Sequence, residues 1–162
     1  MQRMEKAERL VKALCERKYT LSFAESCTGG LAAATVVSVA GASAVFYGGI
    51  VSYDNSVKEN LLAVPHSVLA TVGAVSAECA MQMAKGARAA IGTDIAVSVT
   101  GIAGPDGGTA EKPVGTVYLG VDSARGTRFI RLSLGDKGDR TAIREASVDA
   151  MLDAVWDELS DL

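Results

Sequence analysis

The alternation of strand-like and helix-like segments constrains the fold of this chain more than any other feature of its sequence. Five segments rich in β-forming residues lie at residues 21–24, 45–53, 94–100, 114–122 and 127–134. Helical patterns precede the first segment, separate the first three and follow the last, and a short turn at residues 122–126 predicts a late hairpin. This order predicts an α/β fold in which helices cover both faces of a mixed sheet.

Composition and charge exclude several classes of protein. An apolar fraction of 49% and a charged fraction of 22% in 162 residues are typical of a globular protein, and we expect one domain over residues 1–162. The net charge is −3 and the Lys and Arg residues are scattered, so we expect no nucleic-acid partner. No apolar run is long enough to cross a bilayer and no signal-peptide core is present, which predicts a cytoplasmic protein without a membrane partner.

The residues that usually bind metals have no metal-binding spacing here. The three cysteines, Cys15, Cys27 and Cys79, are an odd number without such spacing, which is typical of free thiols in a reducing compartment. Asp106 has no second carboxylate or histidine at a useful spacing, and we interpret it as a turn residue. We therefore expect no metal.

The stretch ESCTGG at residues 25–30 lies where the first strand is expected to end and a helix to begin. A hydroxyl at such a corner is held on a rigid scaffold beside backbone N–H groups that have no partner within the helix. This predicts Ser26 as a nucleophile placed next to its own oxyanion donors. An ordinary helix cap followed by a glycine turn explains the same residues equally well.

A candidate base for Ser26 lies in the segment that follows the second strand. Ser56 and Glu59 have the spacing of a capping box, which puts Lys58 in the first turn of a helix. A cation is unfavourable there, and the positive field with partial burial lowers the pKa of the amine toward the value that a general base needs. Tyr53 is placed to relay a proton or fix the amine. A solvated lysine beside a half-buried tyrosine is the alternative.

His66 is an alternative to Lys58 as the base, and Cys27 is an alternative to Ser26 as the nucleophile. His66 is the single histidine and therefore the single candidate base of a Ser-His-Asp triad, but a polar residue at a helix start explains it more simply. Cys27 is the rival nucleophile, because a thiol at a helix amino terminus can have a lowered pKa. Adjacent residues on a turn point in different directions, so we expect only one of Ser26 and Cys27 to face a site.

A glycine-rich loop and two arginines are candidates for binding an anion. The loop TGIAGPDGG at residues 100–108 permits the close approach and positive φ of an anion-binding nest, although it matches neither the Walker A nor the dinucleotide motif. A Pro-Asp-Gly turn explains the loop as well. Arg140 and Arg144 lie one helical turn apart, and each suits bidentate binding of a phosphate or carboxylate unless it is an ordinary surface residue.

Several sequence blocks together resemble the CinA carboxyl-terminal domain family. They are AESCTGG from residue 24, GGIVSY from residue 48 with Asn55 and Lys58, GAVS from residue 73, and TGIAGPDGG from residue 100 followed by KPVGTV from residue 112. The blocks span most of the chain, and their joint match is far more specific than any one of them. The resemblance implies a three-layer α/β/α sandwich with a mixed, mainly parallel sheet. It also implies the stand-alone form, without the larger amino-terminal domain that some members carry.

The resemblance further implies an activity and a set of site residues. The activity is that of a nicotinamide-nucleotide amidase, which hydrolyses nicotinamide mononucleotide to nicotinic acid mononucleotide and ammonia without a metal or an organic cofactor. Ser26 is the implied nucleophile and Lys58 the implied base, with Tyr53 nearby. The residues expected to bind the substrate or its oxyanion are Cys27, Thr28, Gly29, Gly30, Thr100, Gly101, Gly104 and Arg140.

Two further expectations concern partners and the alternative function. We expect a homo-oligomer with a small nucleotide as its substrate. A non-catalytic nucleotide-binding or regulatory module, associated with competence or DNA damage, is the alternative to the amidase. The presence of both Ser26 and Lys58 argues against this alternative, because binding alone needs no activated hydroxyl.

Overall fold

A five-stranded sheet forms the centre of the protein in the computed structural model, which describes all 162 residues. The strands are β1 (Leu21–Glu25), β2 (Phe46–Val51), β3 (Ile95–Gly101), β4 (Thr116–Ser123) and β5 (Gly126–Ser133). Their order in the sheet is β2-β1-β3-β4-β5. β1 pairs with β2 and β3 in parallel, whereas β4 runs antiparallel to both β3 and β5. Only β4 therefore opposes the common direction, and the predicted mixed, mainly parallel sheet with a late hairpin is confirmed.

Six α-helices form the layers on the two faces of the sheet. They are α1 (Arg3–Arg17), α2 (Leu31–Val37), α3 (Asn55–Leu62), α4 (His66–Thr71), α5 (Ala77–Ile91) and α6 (Arg140–Asp161). α1, α2 and α6 pack together on one face, and α5 covers the other face with α3 and α4 packed against it. The predicted three-layer sandwich is confirmed. No helix has both the length and the apolar character that crossing a membrane requires.

The two faces of the sheet bury two separate apolar cores. The larger core has 26 buried residues from α1, α2, α6 and the strands, and the smaller one has seven, mostly from α3 and α5. Every residue of β1 is buried, as expected for a central strand covered on both faces. Gly86 brings α5 against the end of α3, because a Cβ atom at this position would overlap the backbone of Leu62. This close contact positions the helix that carries Lys58.

The carboxyl ends of β1, β2 and β3 meet at one edge of the sheet because these strands are parallel neighbours. In α/β proteins a ligand usually binds outside the carboxyl ends of the strands. The three chain segments that leave this edge are the ESCTGG stretch after β1, the segment before α3, and the glycine-rich loop after β3. The predicted site residues lie in these segments, at the end of β3 and in the first half of α3, except Arg140, which is the first residue of α6.

Candidate active site

A cleft of about 200 Å³ opens where β1, β2 and β3 end. It is lined by Ser26, Cys27, Tyr53, Asn55, Lys58, Ala74, Val75, Thr100, Gly101, Ala103 and Arg140. A second cleft of about 290 Å³ adjoins it and shares Ala103 and Arg140. The first cleft alone is smaller than a typical ligand pocket, which measures roughly 300–1,000 Å³, but the two together reach that range.

Ser26 occupies the first position after β1 and is held there by its backbone. Its N–H donates to the carbonyl of Val99 on β3 at 3.0 Å, and its own carbonyl accepts from Gly29 at 3.1 Å. Gly29 and Gly30 have φ of +58° and +105°, a left-handed conformation that favours glycine and reverses the chain into α2. The hydroxyl of Ser26 is thus fixed at the edge of the sheet by main-chain bonds.

Several N–H groups beside Ser26 are free to bind an anion. The N–H groups of Cys27, Thr28 and Gly30 donate to no other residue, whereas that of Gly29 is bound to the carbonyl of Ser26. Of the four donors that the sequence predicts, three are therefore available in this conformation. Free N–H groups next to a hydroxyl are the arrangement that stabilises an oxyanion in acyl transfer.

The amine of Lys58 lies against the hydroxyl of Ser26. Its Nζ is 2.9 Å from Ser26 Oγ and also donates to the carbonyl oxygens of Ser52 at 2.6 Å and Tyr53 at 3.0 Å. The side chain is only 1% exposed. In the neutral form the two N–H bonds of the amine satisfy the two carbonyls, so the remaining lone pair points to Ser26 Oγ. The arrangement can take a proton from the hydroxyl.

Burial controls the protonation of Lys58. Removal from water lowers the pKa of the Lys58 amine below its ordinary value, and the thiol of Cys79, the carboxylate of Asp54 and the thiol of Cys27 partly oppose this shift. A lowered pKa increases the fraction of neutral amine near neutral pH, which is the form that accepts a proton. No carboxylate bonds to Nζ to hold it as an ammonium.

The start of α3 differs from the predicted capping box. Asp54 is the N-cap, and its carboxylate accepts the N–H of Ser56 at 3.0 Å and the hydroxyl of Ser56 at 2.6 Å. The prediction that Ser56 caps the helix is wrong, because the stronger carboxylate acceptor two residues earlier takes that position. Lys58 is consequently the fourth residue of α3. Burial, which the sequence predicted together with the helix field, is the largest cause of its lowered pKa.

Glu25 has a structural role that the local sequence does not predict. Its carboxylate is buried and accepts the hydroxyl of Thr28 at 2.6 Å and the N–H groups of Ala32 at 2.9 Å and Ala33 at 3.1 Å. These bonds cap the first turn of α2 with a negative group, which the helix field favours. A glutamate directly after an uncharged run of strand residues was the signal in the sequence. Glu25 and Thr28 together fix the turn that carries Ser26.

Arg144 also acts on the turn that contains Ser26. From α6, its Nε donates to the carbonyl of Cys27 at 2.9 Å and its Nη2 to that of Thr28 at 2.8 Å. Because a trans peptide points its C=O and N–H in opposite directions, holding the Cys27 carbonyl turns the Thr28 N–H away from α6. The sequence made Arg144 a candidate anion ligand, whereas in the structure its guanidinium binds backbone oxygen atoms.

Tyr53 and Arg140 form a pair at the rim of the cleft. Tyr53 is 61% exposed, and its hydroxyl accepts from Arg140 Nη2 at 3.1 Å, while Arg140 Nη1 donates to the carbonyl of Gly104 at 2.7 Å. The contact of Tyr53 with Lys58 is made by its backbone carbonyl, not by its phenol. The guanidinium of Arg140 therefore links the second and third segments of the site.

The third wall of the cleft combines the end of β3 with residues 72–75. Thr100 is buried and its hydroxyl donates to the carbonyl of Ala74 at 2.9 Å, while Lys112 Nζ donates to that of Val75 at 2.6 Å. Gly101 lies against β4, where a Cβ atom would be 2.7 Å from Val117 Cγ2, and Gly104 has φ of +77°. Gly101 thus allows close packing against β4, and Gly104 allows a left-handed turn in this wall.

The rival residues have less favourable surroundings. Burial raises the pKa of the Cys27 thiol to about 11, so little thiolate is present near neutral pH. His66 lies outside the cleft lining and pairs with Glu59 at 2.6 Å on an exposed surface. No group of three His, Cys, Asp or Glu side chains has the arrangement of a metal site. Ser26 and Lys58 remain the pair with the geometry for nucleophilic chemistry.

The sequence matches the family described as the CinA C-terminal domain over residues 3–159. The CinA-like protein of Citrifermentans bemidjiense is 51% identical over 151 residues, which cover 93% of this chain and 36% of that relative. The CinA-like protein of Geobacter sulfurreducens is 51% identical over 138 residues, which cover 85% of this chain and 33% of the relative. The chain thus spans about a third of the length of these curated relatives.

Solved structures share the same fold over their whole length. The competence/damage inducible protein CihA from Agrobacterium tumefaciens superposes with a TM-score of 0.92 at 42% identity, covering 96% of this chain and 94% of that one. A competence-damaged protein (CinA) superfamily protein from Klebsiella pneumoniae 700603 superposes with a TM-score of 0.94 at 32% identity, with both chains fully covered.

Proposed function

Because the chain belongs to the CinA C-terminal domain family, we propose that it is a nicotinamide-nucleotide amidase with Ser26 as nucleophile and Lys58 as base. The substrate is nicotinamide mononucleotide, and the products are nicotinic acid mononucleotide and ammonia. The observation that carries the proposal is the 2.9 Å contact between a buried lysine amine and a serine hydroxyl inside a cleft. Serine–lysine pairs of this kind perform acyl transfer on unrelated folds.

Acylation begins with the neutral amine of Lys58. The lone pair on Nζ takes the proton of Ser26 as Oγ forms a bond to the carboxamide carbon. The negative charge moves to the carbonyl oxygen, which the free N–H groups of Cys27 and Thr28 stabilise. The tetrahedral species then collapses as the C–N bond breaks, and the ammonium of Lys58 returns its proton to the departing nitrogen, so ammonia leaves.

Deacylation repeats the same proton transfers with water in place of Ser26. Lys58, neutral again, takes a proton from a water molecule whose oxygen attacks the ester carbon. The bond from the carbon to Ser26 Oγ breaks, and the lysine returns its proton to that oxygen. The net change adds one water and releases one carboxylic acid and one ammonia. A single base with access to Ser26 Oγ serves both halves of the cycle.

The shape and charge of the two adjoining clefts suit a nucleotide. The carboxamide ring occupies the inner cleft beside Ser26, and the ribose and phosphate extend toward the second cleft past Arg140. Arg140 is exposed and bonds only neutral oxygen atoms, those of Gly104 and Tyr53. Its guanidinium is therefore free of a carboxylate partner and able to bind a phosphate in bidentate fashion.

The test measures ammonia and nicotinic acid mononucleotide formed from nicotinamide mononucleotide, with a metal chelator present. We expect turnover by the wild type and none by Ser26→Ala, while Cys27→Ala, altered at the neighbouring residue, keeps substantial turnover. An active Ser26→Ala variant overturns the mechanism. A folded wild type that binds the nucleotide without hydrolysing it favours the non-catalytic regulatory module instead.

A further inference from the structure

Lys112 connects two sequence blocks that the proposed reaction does not use, GAVS from residue 73 and KPVGTV from residue 112. Its Nζ donates to the carbonyl oxygens of Val72 at 3.0 Å and Val75 at 2.6 Å, and it forms no salt bridge. Two carbonyls of one short segment therefore converge on a single nitrogen atom, and the chain curves around it. The lysine thus ties the loop between β3 and β4 to residues 72–75.

The 72–75 segment is a wall of the active-site cleft, because its last two residues line the cleft. Lys112 holds the first and the last of its carbonyl oxygens, and the hydroxyls of Ser76 and Thr100 hold the two between them at 2.8 and 2.9 Å. The N–H groups of its last two residues donate to no other residue. Every carbonyl of this wall is thus bound within the protein, and its free polar groups are hydrogen-bond donors.

Packing alone does not fix the position of this wall. The helix that precedes it, α4, has no fully buried residue, and Val72 is 40% exposed. Gly73 has φ of +82°, and a Cβ atom at this position would meet nothing within 4 Å. A segment with few buried contacts opens at a low cost in free energy. Its position therefore depends on the side-chain hydrogen bonds to its carbonyls.

A charged amine suits this position better than a neutral side chain. Val72 is the C-cap of α4, and a cation that binds carbonyls at the carboxyl end of a helix is favoured. Hydrogen bonds from an ammonium are charge-assisted and about twice as strong as those between neutral groups. Lys112 is only half-buried, so its replacement leaves the two carbonyls within reach of water. We therefore expect a variant without this lysine to fold with a less firmly held wall.

We propose that Lys112 is a positioning residue, which holds the 72–75 segment as a wall of the cleft and thereby sets the affinity for the nucleotide. The lysine itself does not line the cleft. It bonds neither Ser26 nor Lys58, so its loss weakens binding and leaves the proton transfers unchanged. The effect on affinity rests on the proposed amidase function, whereas the effect on the position of the wall does not.

The kinetic test compares Lys112→Met with the matched control Lys85→Met. Both variants lose one positive charge, but Lys85 is exposed on α5 and lines no part of the cleft. We expect Lys112→Met to raise KM for nicotinamide mononucleotide about tenfold with kcat changed less than about threefold, and Lys85→Met to match the wild type. Lys112→Arg retains a charge and donors for both carbonyls, and we expect it to restore most of the wild-type KM.

Hydrogen exchange tests the position of the wall independently of catalysis. The N–H groups of Val72 and Gly73 both donate to the carbonyl of Val68 at 3.1 Å, and we expect them to exchange about tenfold faster in Lys112→Met than in Lys85→Met. Unchanged exchange overturns the proposal, since a higher KM alone would make Lys112 a ligand of the nucleotide. An active Lys112→Met enzyme with wild-type KM overturns it as well. Faster exchange in a protein that hydrolyses no nucleotide supports the positioning role and contradicts the amidase function instead.

Discussion

Replacing Lys58 separates the function of a base from that of a fixed positive charge. Lys58→Met removes the lone pair that faces Ser26 Oγ, while a side chain of similar length fills the buried space. General base catalysis contributes about 10²–10⁴ in rate, so we expect kcat/KM to fall by that factor, equivalent to roughly 3–5 kcal/mol of transition-state stabilisation. Lys58→Arg retains a positive charge and donors but cannot lose its proton near neutral pH. We expect it to be equally inactive.

The structure also indicates that the Lys58→Met variant folds. The substitution leaves the carbonyl oxygens of Ser52 and Tyr53 without this donor, and an acceptor left without a partner costs about 1–3 kcal/mol. A total near 2–6 kcal/mol lies at or below the roughly 5–15 kcal/mol that stabilises a typical domain. Urea unfolding measures this loss, and ammonia release measures activity. If Lys58→Arg keeps more than about a tenth of wild-type kcat/KM, Lys58 acts as a cation and the reasoning fails.

Two further predictions concern Arg144 and pH. Arg144→Met frees the carbonyls of Cys27 and Thr28, and we expect kcat to fall by about 10²-fold with KM little changed, because Arg144 orients an oxyanion donor without lining the cleft. A rise in KM at constant kcat would contradict that role. For pH, the lowered pKa of Lys58 means that the unfolded chain binds this proton more tightly than the folded one. At pH values between the pKa of Lys58 in the folded protein and the ordinary lysine pKa, the free energy of unfolding of the wild type therefore increases with pH relative to that of Lys58→Met. Thermal melts at several pH values measure this difference.

Local patterns were sufficient to predict the strands and helices but not the contacts between distant segments. Each of the five predicted strand segments overlaps an observed strand, because apolar runs bounded by turn residues report burial in the sheet. The bond of Arg144 to Cys27 joins residues 117 positions apart, and no local pattern contains it. The N-cap of α3 was predicted wrongly for a different reason. Asp54 and Ser56 are both good N-caps, and only the observed backbone distinguishes them.

The chemistry of Lys58 depends on how the whole fold buries it. On an exposed helix, water screens the field at the helix start, so neither Ser56 nor Asp54 as cap would by itself make this amine a base. Burial lowers that pKa, and it requires α3 to pack tightly on α5, which the absence of a side chain at Gly86 permits. The carbonyls at the end of β2 then direct the amine to Ser26. Any change that loosens α3 from α5 should therefore lower activity before it unfolds the protein, because water reaching Nζ restores the proton.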